Sequence, residues 1–137
     1  MIKPKGAVRH DEGKVPYAYL PMDLLAGAAR VMEFGAQKYT LNNYRKGYES
    51  FINPLSSLMR HATAVQTALL EYEGDGRIEG LTETLLDNES GLTHLDHAIT
   101  SALLLIHSVN LHIQAHKDAI ALTCTGSALP PTDVKED

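Results

Sequence analysis

The chain has a single cysteine, Cys124, no tryptophan and only two phenylalanines in its 137 residues. One thiol excludes an intramolecular disulfide and a cysteine-only zinc site, and it fits a reducing compartment. With aromatics at 6%, a core has to come from Leu, Ala, Ile, Val and Met, side chains that suit helix packing. A basic excess is missing too. The formal charge of −5 argues against a general nucleic-acid binder, which needs a basic face to neutralise phosphates. It leaves room for a small anionic substrate held by a few local Lys and Arg around a metal. The N-terminal "MIKPKGAVRHDEGK" has basic residues but no apolar stretch of a secretory leader. The longest apolar run, "AITSALLLIHSVNLHI", is broken by Ser, Asn and His and reads as too short to span a bilayer. These absences predict one soluble, cytoplasmic domain with neither membrane nor nucleic acid among its partners.

What is present is helical periodicity, and no stretch alternates with period two. Residues to about Leu20 are polar and broken by Gly6, Gly13 and Pro16, which predicts an arm or loop. Pro21 then suits a first helical turn, and Leu24, Leu25, Ala28, Val31 and Met32 make an apolar stripe behind it. Gly35 either ends that helix or lies in a close helix crossing. "TLNNYRKGYES" reads as a loop. A second helix starts with Asn53 as cap and Pro54 in the first position, and runs to Tyr72 through Leu55, Leu58, Ala62, Val65 and Leu69. A short helix is predicted over Leu81 to Leu86. The last helix, capped by Ser90 or Asn88, runs from Leu92 to Leu122 with Leu95, Ile99, Ala102, Ile106, Val109 and Ile113 on its core face. The expected fold is an all-α bundle of about four helices over residues 1–123, with 124–137 a polar, disordered tail.

The chemistry gathers on two of these helices. His61 follows Arg60 on one, and His94 and His97 stand three apart on the other, so the last two share a face. Imidazoles so placed hold a metal, orient a carboxylate or donate to phosphate. Asp87 and Glu89 precede that helix. Carboxylates and water suit Mg²⁺ or Mn²⁺, ions that bridge protein oxygens to substrate phosphates. The free N–H groups after Gly91 are a further place for a phosphate oxygen. The plainer alternative is that acids at a helix start oppose its dipole and that the histidines pack or face solvent, as His107, His112 and His116 do. Asp96 is either a ligand or a solvated neighbour. Arg9, Asp11 and Lys14 on the arm, and Lys38 with Tyr39 after the first helix, supply cations and a ring. No phosphate-binding GxxxxGK[ST] loop and no GxSxG elbow occurs.

Taken in order, "RHDEGK", "LPMDLLAGAARVMEFGAQKY" with "NNYRKG", "LSSLMRHATA" and "ESGLTHLDHA" resemble the phage and bacterial dATP/dGTP diphosphohydrolase family, in particular its MazZ type. That family is akin to the all-α MazG-like nucleotide pyrophosphohydrolases. The resemblance covers about residues 6 to 110. It implies hydrolysis of a purine deoxynucleoside triphosphate, dGTP for the MazZ type or else dATP, to monophosphate and pyrophosphate with Mg²⁺ or Mn²⁺. The dGMP would feed 2-aminoadenine nucleotide synthesis in a phage, placing the protein in the host cytoplasm. It also implies a homodimer or homotetramer, in line with helices carrying more apolar surface than a monomer of this size can bury. By position, the family's marked residues fall on Arg9, Asp11, Lys14, Lys38, Tyr39, Asn43 and Arg60 for substrate, and on His61, His94 and His97 for catalysis. Glu89 is marked as well, and Glu73, Asp87 and Asp96 join it as candidate metal ligands. The sequence departs from the broader MazG-like pattern, EExxE followed by ExxD, with "RHATA" and "HLDH". The long link "EYEGDGRIEGLTETLLDNESG" makes Glu73, Glu79, Glu83 or Asp87 the acid that replaces it. Two rivals remain: an HD-type triphosphohydrolase, which needs a His-Asp dipeptide where this chain has Asp96-His97, and a non-catalytic helical interaction protein.

Overall fold

The computed structural model describes residues 6–125. They form four α-helices, α1 (Ala26–Tyr39), α2 (Ile52–Asp75), α3 (Ile78–Thr84) and α4 (His94–Thr125), with 3₁₀ turns at Tyr17–Tyr19, Met22–Leu25 and Asn43–Lys46. Among the described residues there is no strand, only an isolated antiparallel bridge between Leu86 and Thr93. The fold is an all-α bundle in which α4 packs chiefly on α2 and also on α1.

The helix ends correct the sequence reading by a few residues. Pro21 stands before the 3₁₀ turn, where its carbonyl accepts the Leu24 N–H at 3.0 Å, and α1 follows from that turn. Gly35 neither ends α1 nor lies at a crossing. Open space surrounds it, and the helix runs on until Thr40 turns to φ 97°. The close crossing is at Gly27, where a Cβ would fall on the Asp96 carboxylate. Helix α2 begins at Ile52, so Asn53 is not its cap and Pro54 takes the third position. An N–H there has no intrahelical partner, so proline costs nothing. Gly76, at φ 67°, closes α2 by donating its N–H to Tyr72 O at 2.7 Å. Helix α3 starts three residues earlier than expected, and the cap of α4 is Thr93 rather than Ser90 or Asn88. The Thr93 hydroxyl accepts the Asp96 N–H at 3.1 Å and donates to Asp96 Oδ2 at 2.8 Å. Helix α4 extends to Thr125, into the first two residues assigned to the tail; the rest of 124–137 lies outside the described residues.

The larger correction concerns which face of α4 turns inward. Leu95, Ile99, Ile106 and Ile113, expected in the core, stand between 36% and 56% exposed. Leu55 and Leu69 of α2 are exposed likewise. The inner face of α4 carries Thr100, Ser101 and Ser108, all buried. Each is satisfied: Thr100 donates to Asp96 O at 2.8 Å, Ser101 pairs with Ser57 at 3.0 Å, and Ser108 accepts the Tyr48 N–H at 3.2 Å. Small side chains on the contact face let helix axes approach closely, and Ala28, Val31 and Ala68 fill the space beside them. By length and composition α4 is long and apolar enough to cross a membrane, with a mean hydropathy of 1.3. The reading that its apolar run is too short therefore missed how far the helix continues.

Candidate active site

The loop between α3 and α4 is folded around one carboxylate. His94 N–H donates to Leu85 O at 2.7 Å, Asp87 N–H to Leu92 O at 2.8 Å, and Gly91 N–H to Asp87 O at 2.8 Å. Gly91 makes this turn at φ 69°, a conformation that costs glycine nothing. Inside the loop, Asp87 Oδ1 accepts the N–H groups of Glu89 and Ser90 at 3.1 and 3.0 Å and the Ser90 hydroxyl at 3.1 Å. Burial pushes the Asp87 carboxyl up, but the Ser90 and Glu89 hydrogen bonds and the nearby His97 outweigh it and hold the group below its ordinary value. Asp87 is therefore an anion.

That charge dictates the protons around it. An ionised carboxylate only accepts, so the single Ser90 proton goes to Asp87. Ser90 Oγ also accepts the Leu92 N–H at 3.1 Å and lies 2.6 Å from His97 Nε2. With its proton committed, Ser90 accepts there, which places a His97 proton on Nε2. His61 of α2 stacks on His97 with ring centres 4.5 Å apart and planes 12° apart, and its Nδ1 lies 2.9 Å from His94 Nδ1. Burial first, then the His97 and His94 rings, lowers the His61 pKa against the pull of Asp87. His61 is neutral at pH 7, and one proton bridges it to His94.

Of these groups, His61, Asp87 and His97 line a cleft of about 650 Å³, a size that suits a nucleotide. The cleft is also lined by apolar and aromatic side chains, among them Val31, Met32 and Phe34 of α1, Leu104 of α4, and Tyr44 and Tyr48. Burial, then Tyr39, raises the Tyr48 pKa, so its hydroxyl stays protonated. Lys38 stands at the rim, 2.6 Å from Glu89 Oε1, and that hydrogen bond and charge raise its pKa. The rim pair is open to water and holds the loop only weakly.

A family model described as dATP/dGTP diphosphohydrolase, N-terminal, matches residues 4–118. The chain belongs to that family. No curated protein and no solved structure matches it. Family membership makes it an enzyme, a hydrolase that acts on nucleoside triphosphates.

In this diphosphohydrolase the cleft gathers Lys38, Tyr39, Asn43, Arg60, His61, Asp87, Glu89 and His97. His94 touches His61 but borders a second hollow, of about 440 Å³, with Glu71, Glu83 and Asn88. Arg9 and Lys14 pair with Asp11 on the exposed arm at 3.8 and 3.4 Å and do not line the cleft. Glu73 and Glu79 are exposed on α2 and α3 and do not line the cleft. Asp96 is turned to Thr93 and Gly27, out of the cleft. Ser90 was read only as a cap; its place two helical turns before His97 was the available signal for its link to that ring. Tyr48, Ser57 and Ser101 carried no such signal. Three side chains, His61, Asp87 and His94, bring donor atoms within 4.8 Å of one another. Because the hydrogen bonds to the Asp87 carboxylate all end on Oδ1, Oδ2 is left for a cation. Two imidazoles and a carboxylate fit a divalent metal.

Proposed function

We propose that the protein hydrolyses a purine deoxynucleoside triphosphate, dGTP in preference to dATP, to the monophosphate and pyrophosphate with Mg²⁺ or Mn²⁺. The observation that carries this reading is the cleft itself, whose lining joins cations and imidazoles (Lys38, Arg60, His61, His97) to apolar and aromatic side chains. Triphosphate suits the first group and a purine the second. Arg60 and Lys38 neutralise phosphate charge, and Asn43 and Tyr39 border the base. His97, oriented by Ser90 through Nε2, would act on a water near the phosphates through Nδ1, and Asp87 holds that ring in place by way of Ser90. His61, Asp87 and His94 would hold a divalent cation, which would supply Lewis acidity at the phosphates. The product dGMP would supply 2-aminoadenine nucleotide synthesis in a phage, within the host cytoplasm. A second copy of the chain, in a dimer or tetramer, covers the apolar faces of α2 and α4.

Incubation with dGTP or dATP and Mn²⁺, followed by anion-exchange separation, tests the reaction. Pyrophosphate with dGMP is the expected result. Tripolyphosphate with deoxyguanosine would mean an HD-type reaction, and no turnover of either nucleotide would overturn the proposal.

A further inference from the structure

The two nitrogen atoms that face each other across α2 and α4 carry information about the metal. His61 Nδ1 and His94 Nδ1 lie 2.9 Å apart. With metal–nitrogen bonds of about 2.1 Å, neighbouring ligands of an octahedron stand about 3.0 Å apart and those of a tetrahedron about 3.4 Å. The spacing is that of an octahedral edge as well as of a hydrogen bond, so an ion can replace the bridging proton once each ring turns its lone pair toward it. The rings are braced for this. His61 is stacked on His97, His97 is held by Ser90, and Ser90 is held by Asp87. The third donor, Asp87, is fixed through Oδ1 by the loop backbone and has Oδ2 to give. Two of the three donors are imidazoles. Mg²⁺ prefers an all-oxygen shell, keeps its waters and dehydrates reluctantly, whereas first-row transition cations accept imidazole readily.

We infer that His61, Asp87 and His94 form a resident site for an octahedral first-row transition cation, filled before the nucleotide arrives and selective against Mg²⁺. This deepens the hydrolase reading, on which it rests for its purpose but not for its test. The ion belongs to the protein, and any Mg²⁺ carried by the triphosphate is a separate one.

The test uses the full chain, freed of metal by chelation and without nucleotide. Calorimetric titration with Mn²⁺ should give one ion per chain, bound at least about 100-fold more tightly than Mg²⁺, a preference of about 2.7 kcal/mol. Pulsed electron paramagnetic resonance of the Mn²⁺ form should show two directly coordinated imidazole nitrogens. That measurement needs no variant. His61→Gln and His94→Gln, checked for helix content, should each weaken Mn²⁺ binding at least about tenfold, while Glu89→Gln should not. Equal affinity for the two ions, no binding without nucleotide, or a spectrum without nitrogen coupling would each overturn the inference. Hydrolysis of dGTP with Mg²⁺ by a protein that binds no Mn²⁺ would leave the hydrolase reading intact and sink this one. Tight Mn²⁺ binding without turnover would do the reverse.

Discussion

The two faces of α4 differ in chemistry and are each spaced for a helix. One carries His94, His97, Ser101 and Ser108; the other carries Leu95, Ile99, Ile106 and Ile113. Within the chain it is the polar stripe that turns inward, because α2 offers it partners in His61 and Ser57 and the loop offers Ser90. The apolar stripe is left at the surface. A contiguous exposed apolar face of this kind marks an interaction surface. The difference separates two tasks: the inner face builds the candidate site, and the outer face is left for the assembly proposed above.

The largest expected effect comes from breaking the inner face at its anchor. Asp87→Asn removes the charge that receives three hydrogen bonds. Turnover should fall at least about 100-fold, as on loss of one key electrostatic group. Asp96→Asn, on the same helix but turned toward α1, should leave turnover within about twofold by the same assay. Equal losses in the two variants would show that the loop acid has no special place.

Next comes the outer face. Ile99→Glu with Ile106→Glu puts charges where a second copy is expected, and charge buried without a partner is costly. Light scattering should fall from the mass of a dimer or tetramer to that of a single chain, 15.0 kDa. A wild-type protein already at the single-chain mass at micromolar concentration would remove the reason for the outer stripe.

How much of this was legible follows from the same comparison. Helix number and the order of elements come from local backbone preferences, and the sequence displays those. The meeting of His61 with His94 and His97 was also visible, because HxxH spacing and an RH pair on a neighbouring helix are local patterns. The inward face was not. Periodicity reports that a helix has two stripes and is silent on which one meets its neighbour, a matter decided by Ser57, Ser101 and Ser108 in three dimensions. The acids divided in the same way. Asp87, Glu89 and Asp96 look alike in sequence, yet loop closure turns the first to the histidines, the second to Lys38 and the third to Gly27.

A smaller effect is set by acid. His61 has a folded-state pKa below its ordinary value of 6.5, so in mild acid the unfolded chain takes a proton that the folded one refuses. Stability is unaffected above that value and falls as pH drops through the window beneath it. Asp87 is lowered from 3.8, so its contribution is full above that value and is lost only in stronger acid. Thermal melts of the metal-free protein should therefore decline in two stages. His61→Gln should abolish the first stage and keep the second.

The smallest effect concerns the seam where the two faces part. Ser57 and Ser101 share a hydrogen bond of 3.0 Å between α2 and α4, and Ser101 is buried. Ser101→Ala leaves the Ser57 hydroxyl without that partner and should cost about 1 kcal/mol in denaturant unfolding. Ser57→Ala should cost a similar amount. The double variant replaces both polar groups by methyl groups of nearly the same shape, so it should cost less than the sum, with a coupling of about 0.5–1.5 kcal/mol. Strict additivity would mean that water from the cleft satisfies each hydroxyl alone. The polarity of the seam would then serve the substrate cavity that both serines line, and the cohesion of α2 with α4 would rest on the close approach that their small side chains allow.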